Sequence, residues 1–155
     1  MKKGIICILA SVMFLALPAL GFSASFKVYP GAKLEDVYEP KQSEAGGKMS
    51  KAPKVITFTT DDPFETVVVF YRSVAREYRM PGGSSGKPIR LSSGQELKEA
   101  YFILDGANDL SASEHWIKIQ RPYIEKGRTG NPFSGPYEKI REVTAIIEEE
   151  KTSYP

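Results

Sequence analysis

The chain has 155 residues, 41% of them hydrophobic and 26% charged, enough apolar side chains for one hydrophobic core. Its 21 basic residues stand against 19 acidic ones, so it lacks the basic excess that phosphate neutralisation needs, which argues against nucleic acid as a partner. The single cysteine, Cys7, excludes a disulfide framework.

Residues 1–23 read as a secretory signal peptide. Lys2 and Lys3 give a positive start, Gly4 to Leu17 is an uncharged apolar run, and Pro18 to Ser25 is a small-residue exit. The densest apolar part stops at Pro18, short of the roughly 20 residues a membrane span needs, so cleavage is expected rather than retention as an anchor. Small residues suit a cut after Gly21 or after Ser23. Cys7 lies too early for lipid attachment. Loss of Lys2 and Lys3 leaves 19 basic against 19 acidic residues, a formally neutral, cysteine-free chain that is expected in the periplasm or outside the cell.

Beyond the leader, residues 24–155 read as one domain. Phe26 to Tyr29 alternates and breaks at Pro30-Gly31, a short strand before a turn, and Ala32 to Tyr38 continues extended. Residues 39–53 are poor in large apolar side chains and read as a flexible loop. Lys54 to Thr60 is a strand rich in β-branched residues. Asp61-Asp62-Pro63-Phe64-Glu65 predicts a helix start, with Asp62 as cap, Pro63 in the first turn and Glu65 at capping-box spacing. Phe64, Val67, Val68, Tyr71, Val74, Ala75 and Tyr78 recur at steps of three and four, which predicts a helix to about Arg79.

Residues 81–88 are glycine-rich and flexible by composition. Gln95 to Ala100 could form a helical turn before a strand at Tyr101 to Leu104. His115 to Arg121 alternates as a strand with Ile117 and Ile119 on one face. A third flexible segment spans 125–137. In the last element, Val143, Ala145 and Ile147 fit a strand, whereas Ile140, Val143 and Ile147 fit a helix face. A final antiparallel strand is preferred because it would complete a sheet. The expected fold is therefore α+β: one main helix packed on an antiparallel sheet of about four to five strands, in the order strand, strand, helix, strand, strand, strand.

Tyr29-Pro30-Gly31-Ala32, followed by the strand from Val55 and by Thr60-Asp61-Asp62-Pro63-Phe64-Glu65 leading into Phe70-Tyr71-Arg72, resembles a family of small exported bacterial proteins of unassigned function. In that family a Y-P-G-A segment precedes a strand, and an S/T-x-D turn opens a helix ending in F-Y-x. The resemblance covers residues 26 to 78 and implies an α+β fold. It supplies no functional residues.

Four constellations are candidate sites. His115, the sole histidine, has Asp109, Ser111, Ser113 and Glu114 just upstream, the residue types of a hydrolase triad, but no nucleophile elbow accompanies them. Asp61, Asp62 and Glu65 lack the spacing of a calcium loop, and one histidine without cysteine does not make the usual zinc set, so no metal and no cofactor are expected. Arg72, Arg76 and Arg79, at steps of four and three, fall on one stripe of the expected helix, and Arg90 across the glycine-rich loop could join them, a cationic surface suited to anionic lipid, acidic polysaccharide or an acidic protein surface. Trp116, with Lys118 and Gln120 as same-face neighbours, and Tyr123, Phe133 and Tyr137 around the third flexible segment, could present an aromatic sheet face or a small second core. The reading is a non-enzymatic binding or accessory module of the bacterial cell envelope. An envelope hydrolase using His115 with Ser111 or Ser113 and Asp109 is the alternative.

Overall fold

A computed structural model describes residues 25–39, 53–81, 87–91, 93–125 and 139–151. Among them are β1 (Lys33–Tyr38), β2 (Lys54–Thr60), α1 (Phe64–Arg72), β3 (Arg76–Tyr78), β4 (Ile89–Arg90), β5 (Glu96–Ile103), β6 (His115–Arg121), β7 (Tyr123–Glu125), β8 (Lys139–Arg141) and β9 (Thr144–Glu150). Seven strands make one antiparallel sheet in the order β1-β2-β9-β6-β5-β3, with β4 also pairing with β5, while β7 and β8 form a separate two-stranded ribbon.

The fold is predominantly β, and this corrects the α+β expectation. The helix is nine residues long and ends at Arg72 instead of Arg79. Ser73 closes it, its amide bonding back to Phe70 and its hydroxyl donating 2.6 Å to the Phe70 carbonyl. The apolar spacing that suggested a longer helix is satisfied differently. Val74 and Ala75 pack on the core from a turn, and Arg76–Tyr78 pairs with Ile103–Tyr101 at the sheet edge. A run of three valines adds little helical propensity, so pairing with β5 decides the conformation beyond Arg72. The same competition turns Glu96 to Ala100, a possible helical turn by sequence, into the first half of β5.

Phe26 to Tyr29 belongs to no strand, and β1 begins only at Lys33. The last element splits into β8 and β9. β9 enters the middle of the sheet between β2 and β6, so the strand preferred for that segment becomes its centre. The segments 40–52, 82–86 and 126–138 lie outside the described residues, as does the leader.

Alternation along the strands divides the sheet into two faces. One carries Ala100 and Phe102 of β5, Ile117 and Ile119 of β6, Ile146 of β9 and Phe58 of β2, under Val67, Val68 and Tyr71 of the helix. A nine-residue helix is marginal alone. Burial of those three side chains, at about 1.5–3 kcal/mol each, holds it in place.

The segment around Tyr29 and the segment from Asp62 to Tyr71 meet on this face. Tyr29 donates 2.7 Å to Asp62 Oδ2 and meets Phe70 edge to face, with ring centroids 5.3 Å apart. Tyr71, fully buried, donates 2.9 Å to the Lys27 carbonyl. Between them, Gly31 takes φ +82°, a left-handed conformation that lets Ala32 N–H bond back to the Tyr29 carbonyl at 3.0 Å. Asp62 is therefore an anchor for Tyr29 and not the helix cap. The cap position is Pro63, with no side-chain bond.

Candidate functional site

His115 begins β6, and its ring turns away from the serines that precede it. Nε2 lies 2.8 Å from Glu148 Oε1 on β9. A carboxylate only accepts, so Nε2 carries the proton. Ser111 donates 2.6 Å to Asp109 Oδ1, and the buried Ser113 donates 3.0 Å to Asp105 Oδ1 and 3.0 Å to the His115 carbonyl. Asp105 also accepts from the amides of Ala107, Glu114 and His115. Burial pushes its carboxyl pKa up, but these donors outweigh that and leave it below the usual value. The residues that resemble a triad in sequence thus form two loop-tying clusters and a separate strand-to-strand pair. The hydrogen bond to Glu148 raises the His115 pKa, with burial opposing.

The arginines do not form a stripe, because the helix ends at the first of them. Arg72 makes a two-point contact with Glu77, at 2.7 and 3.1 Å. Arg76 lies on β3 and donates to the Ala107 carbonyl. Arg79 follows β3 and is exposed. Arg90 is on β4.

Trp116 does lie on the face opposite the helix, with Lys118 and Gln120, but it is half-buried in a packed neighbourhood. Its ring sits 6.1 Å from that of Tyr101. Lys118 Nζ is 2.6 Å from Glu99 Oε1 and 5.9 Å from the Tyr101 ring centre, and both charged side chains are more than four-fifths covered. Burial first, then the Glu99 charge, pushes the Tyr101 hydroxyl up. Tyr123 is on β7, where Arg141 stacks on it at 5.1 Å. Arg141 Nη2 is also 2.8 Å from Glu35 Oε1, an ion pair that holds the Glu35 carboxyl below its usual range. Glu35 accepts 3.2 Å from Thr59, so the ribbon is tied to the β1–β2 end of this face. Tyr137 and Phe133 lie outside the described residues.

An open cleft of about 240 Å³ lies where the helix begins, walled by Phe64 and Pro122 with Lys98, Arg121, Glu96 and Glu142 at its rim. Its charges are largely engaged within the protein. Lys98 pairs with Glu65 at 2.5 Å, Glu142 accepts 2.5 Å from Gln95, and Arg121 donates 3.2 Å each to the Asp62 carbonyl and Thr144 Oγ1.

The surface that the sequence reading missed is β1. All six of its residues are exposed, and it carries three of the seven large exposed hydrophobic side chains among the described residues: Leu34 at 61%, Val37 at 44% and Tyr38 at 53%. It is the outermost strand on its side, so among the described residues one row of its backbone donors and acceptors faces outward unpaired. Register against β2 puts Leu34 and Val37 on the helix side and Tyr38 on the other, giving an extended segment side-chain contacts on both flanks. A bulge between Leu34 and Asp36 interrupts this pattern, and with Lys33, Glu35 and Asp36 it works against indiscriminate strand pairing.

No helix among the described residues is long and apolar enough to cross a membrane. No family model matches the chain, and neither a curated protein nor a solved structure matches it.

Proposed function

We propose that this protein is an exported, non-enzymatic binding module of the bacterial cell envelope, and that it takes up an extended segment of a protein partner along β1. The observation that carries the reading is the concentration of exposed Leu34, Val37 and Tyr38 on an outer strand. Strand addition draws affinity from main-chain hydrogen bonds and selectivity from the alternating side chains on either flank. The order of charge, apolar run and small residues in 1–23 supports export. Ion pairing at Arg72 and half-burial at Trp116 make those two surfaces weaker candidates than β1.

Affinity capture from a cell-envelope fraction, using residues 24–155 as bait, tests this. Val37→Lys alters an exposed side chain and is expected to leave the melting temperature within about 2 °C while reducing capture at least tenfold. The double variant Arg72→Glu, Arg76→Glu is expected to capture as the parent does. Full capture by Val37→Lys, with loss in the arginine variant, overturns the assignment to β1. N-terminal sequencing of exported material tests the address, and an intact Met1 contradicts cleavage.

A further inference from the structure

We propose that His115 and Glu148 form a pH-sensitive clasp between the two central strands, closed at acidic pH and weakened as the pH rises. Glu148 is 8% exposed and faces the helix side of the sheet, with Ile56 of β2 and Ile117 of β6 as its direct strand neighbours. A carboxylate in that position needs a counter-charge or a full set of hydrogen bonds. Among the described residues its hydrogen-bond partner is His115 Nε2, at 2.8 Å, and the His115 and Glu148 side chains are 23% and 10% exposed. As the sole histidine, His115 is the side chain whose ordinary titration falls between about pH 5 and 8.

The surrounding charges favour the protonated ring. On β9, Glu150 stands opposite His115 in register, and on the preceding loop Asp105 accepts the His115 amide. Both carboxylates, after Glu148, act to keep the imidazolium. From β2, Lys54 faces Glu150 and is drawn to Glu39, 3.1 Å away. From the helix, Tyr71 feels the Glu148 charge while its hydroxyl is held by the Lys27 carbonyl, and burial is the larger cause of its raised pKa. Glu114 lies next in sequence, and its carbonyl accepts the Lys151 amide at 2.7 Å, joining the loop to the end of β9.

The sign follows from linkage. The folded state binds the histidine proton more tightly than the unfolded chain does, so the stabilisation is complete below the unfolded value near pH 6.5 and is lost as the pH rises through the higher folded value. Above that, Glu148 keeps a neutral hydrogen-bond donor but loses its hydrogen-bonded counter-charge, leaving the weaker pull of Lys54, whose main partner is Glu39. The device therefore ties β6 to β9 most firmly in acidic surroundings.

Melting temperature against pH, with NMR titration of the single histidine ring, tests the clasp. In the parent protein the midpoint is expected to fall by about 2–5 °C between pH 6 and pH 9, with the ring titrating above 6.5. His115→Gln keeps a donor within reach of Glu148 without a titrating charge, and is expected to lose that slope. Should His115→Gln fold poorly, Glu148→Gln provides the second reading: the ring titration shifts down towards or below its ordinary value. A parent midpoint that is flat over this range, a slope that persists in His115→Gln, or a ring titration unmoved in Glu148→Gln each overturns the proposal.

Discussion

Tyr29 and Tyr71 show how single side chains join segments that are far apart in the chain. Tyr71 is fully buried, and its hydroxyl is the partner of the Lys27 carbonyl, so Tyr71→Phe leaves that acceptor without its donor. A loss of about 1–2 kcal/mol is expected, read as a lower denaturant midpoint with unchanged slope. Tyr29 bonds to the more exposed Asp62, where water can replace the lost donor, and Tyr29→Phe should cost less than Tyr71→Phe. Equal losses would contradict this ranking. These residues were legible as a motif, since Y-P-G-A and F-Y-R stand out in the sequence. Their pairing was not, because nothing local links Tyr29 to Asp62 or Tyr71 to Lys27. The His115–Glu148 pair was hidden for the same reason: its partners are 33 positions apart, while Ser111, Ser113 and Asp109 are near in sequence and point elsewhere.

At the scale of elements, strands with clean alternation were readable and the helix end was not. Lys54–Thr60 and His115–Arg121 match their expected bounds because one face of each is buried. The helix was overextended because Val74, Ala75 and Tyr78 fit its apolar spacing, yet a turn and a short strand bury the same residues. β1 escaped notice as an interaction strand for the opposite reason. Its bulge places Leu34 and Val37 three positions apart on one face, so the two-residue period of a strand is absent. The turn before β1 rests on Gly31, whose φ of +82° strains any other residue, although a Cβ there would meet nothing within 4 Å. Gly31→Ala is therefore expected to cost about 1 kcal/mol through the backbone alone. Calorimetry showing no loss would contradict that role for the turn.

For the whole molecule, the α+β expectation failed because, among the described residues, one nine-residue helix stands beside nine strands, with β3 and the front half of β5 formed where helix was expected or possible. Half of the sheet was visible as separate strands, but β9 inserts between β2 and β6, and β3 reaches the far edge. Both placements depend on long-range pairing, which periodicity does not encode. The result is a sheet whose core lies under α1, whose opposite face is tied down by the β7–β8 ribbon through Arg141 and Glu35, and whose β1 side stays exposed. That arrangement turns attention from Trp116 and the arginines to the sheet edge. The most direct test is amide hydrogen exchange on residues 24–155, alone and bound to the protein captured from the envelope fraction. The account predicts new protection across Lys33–Tyr38 in the complex, with β6 unchanged. Protection confined to the Trp116 strand or to the helix, with β1 exchanging as in the free protein, would contradict it.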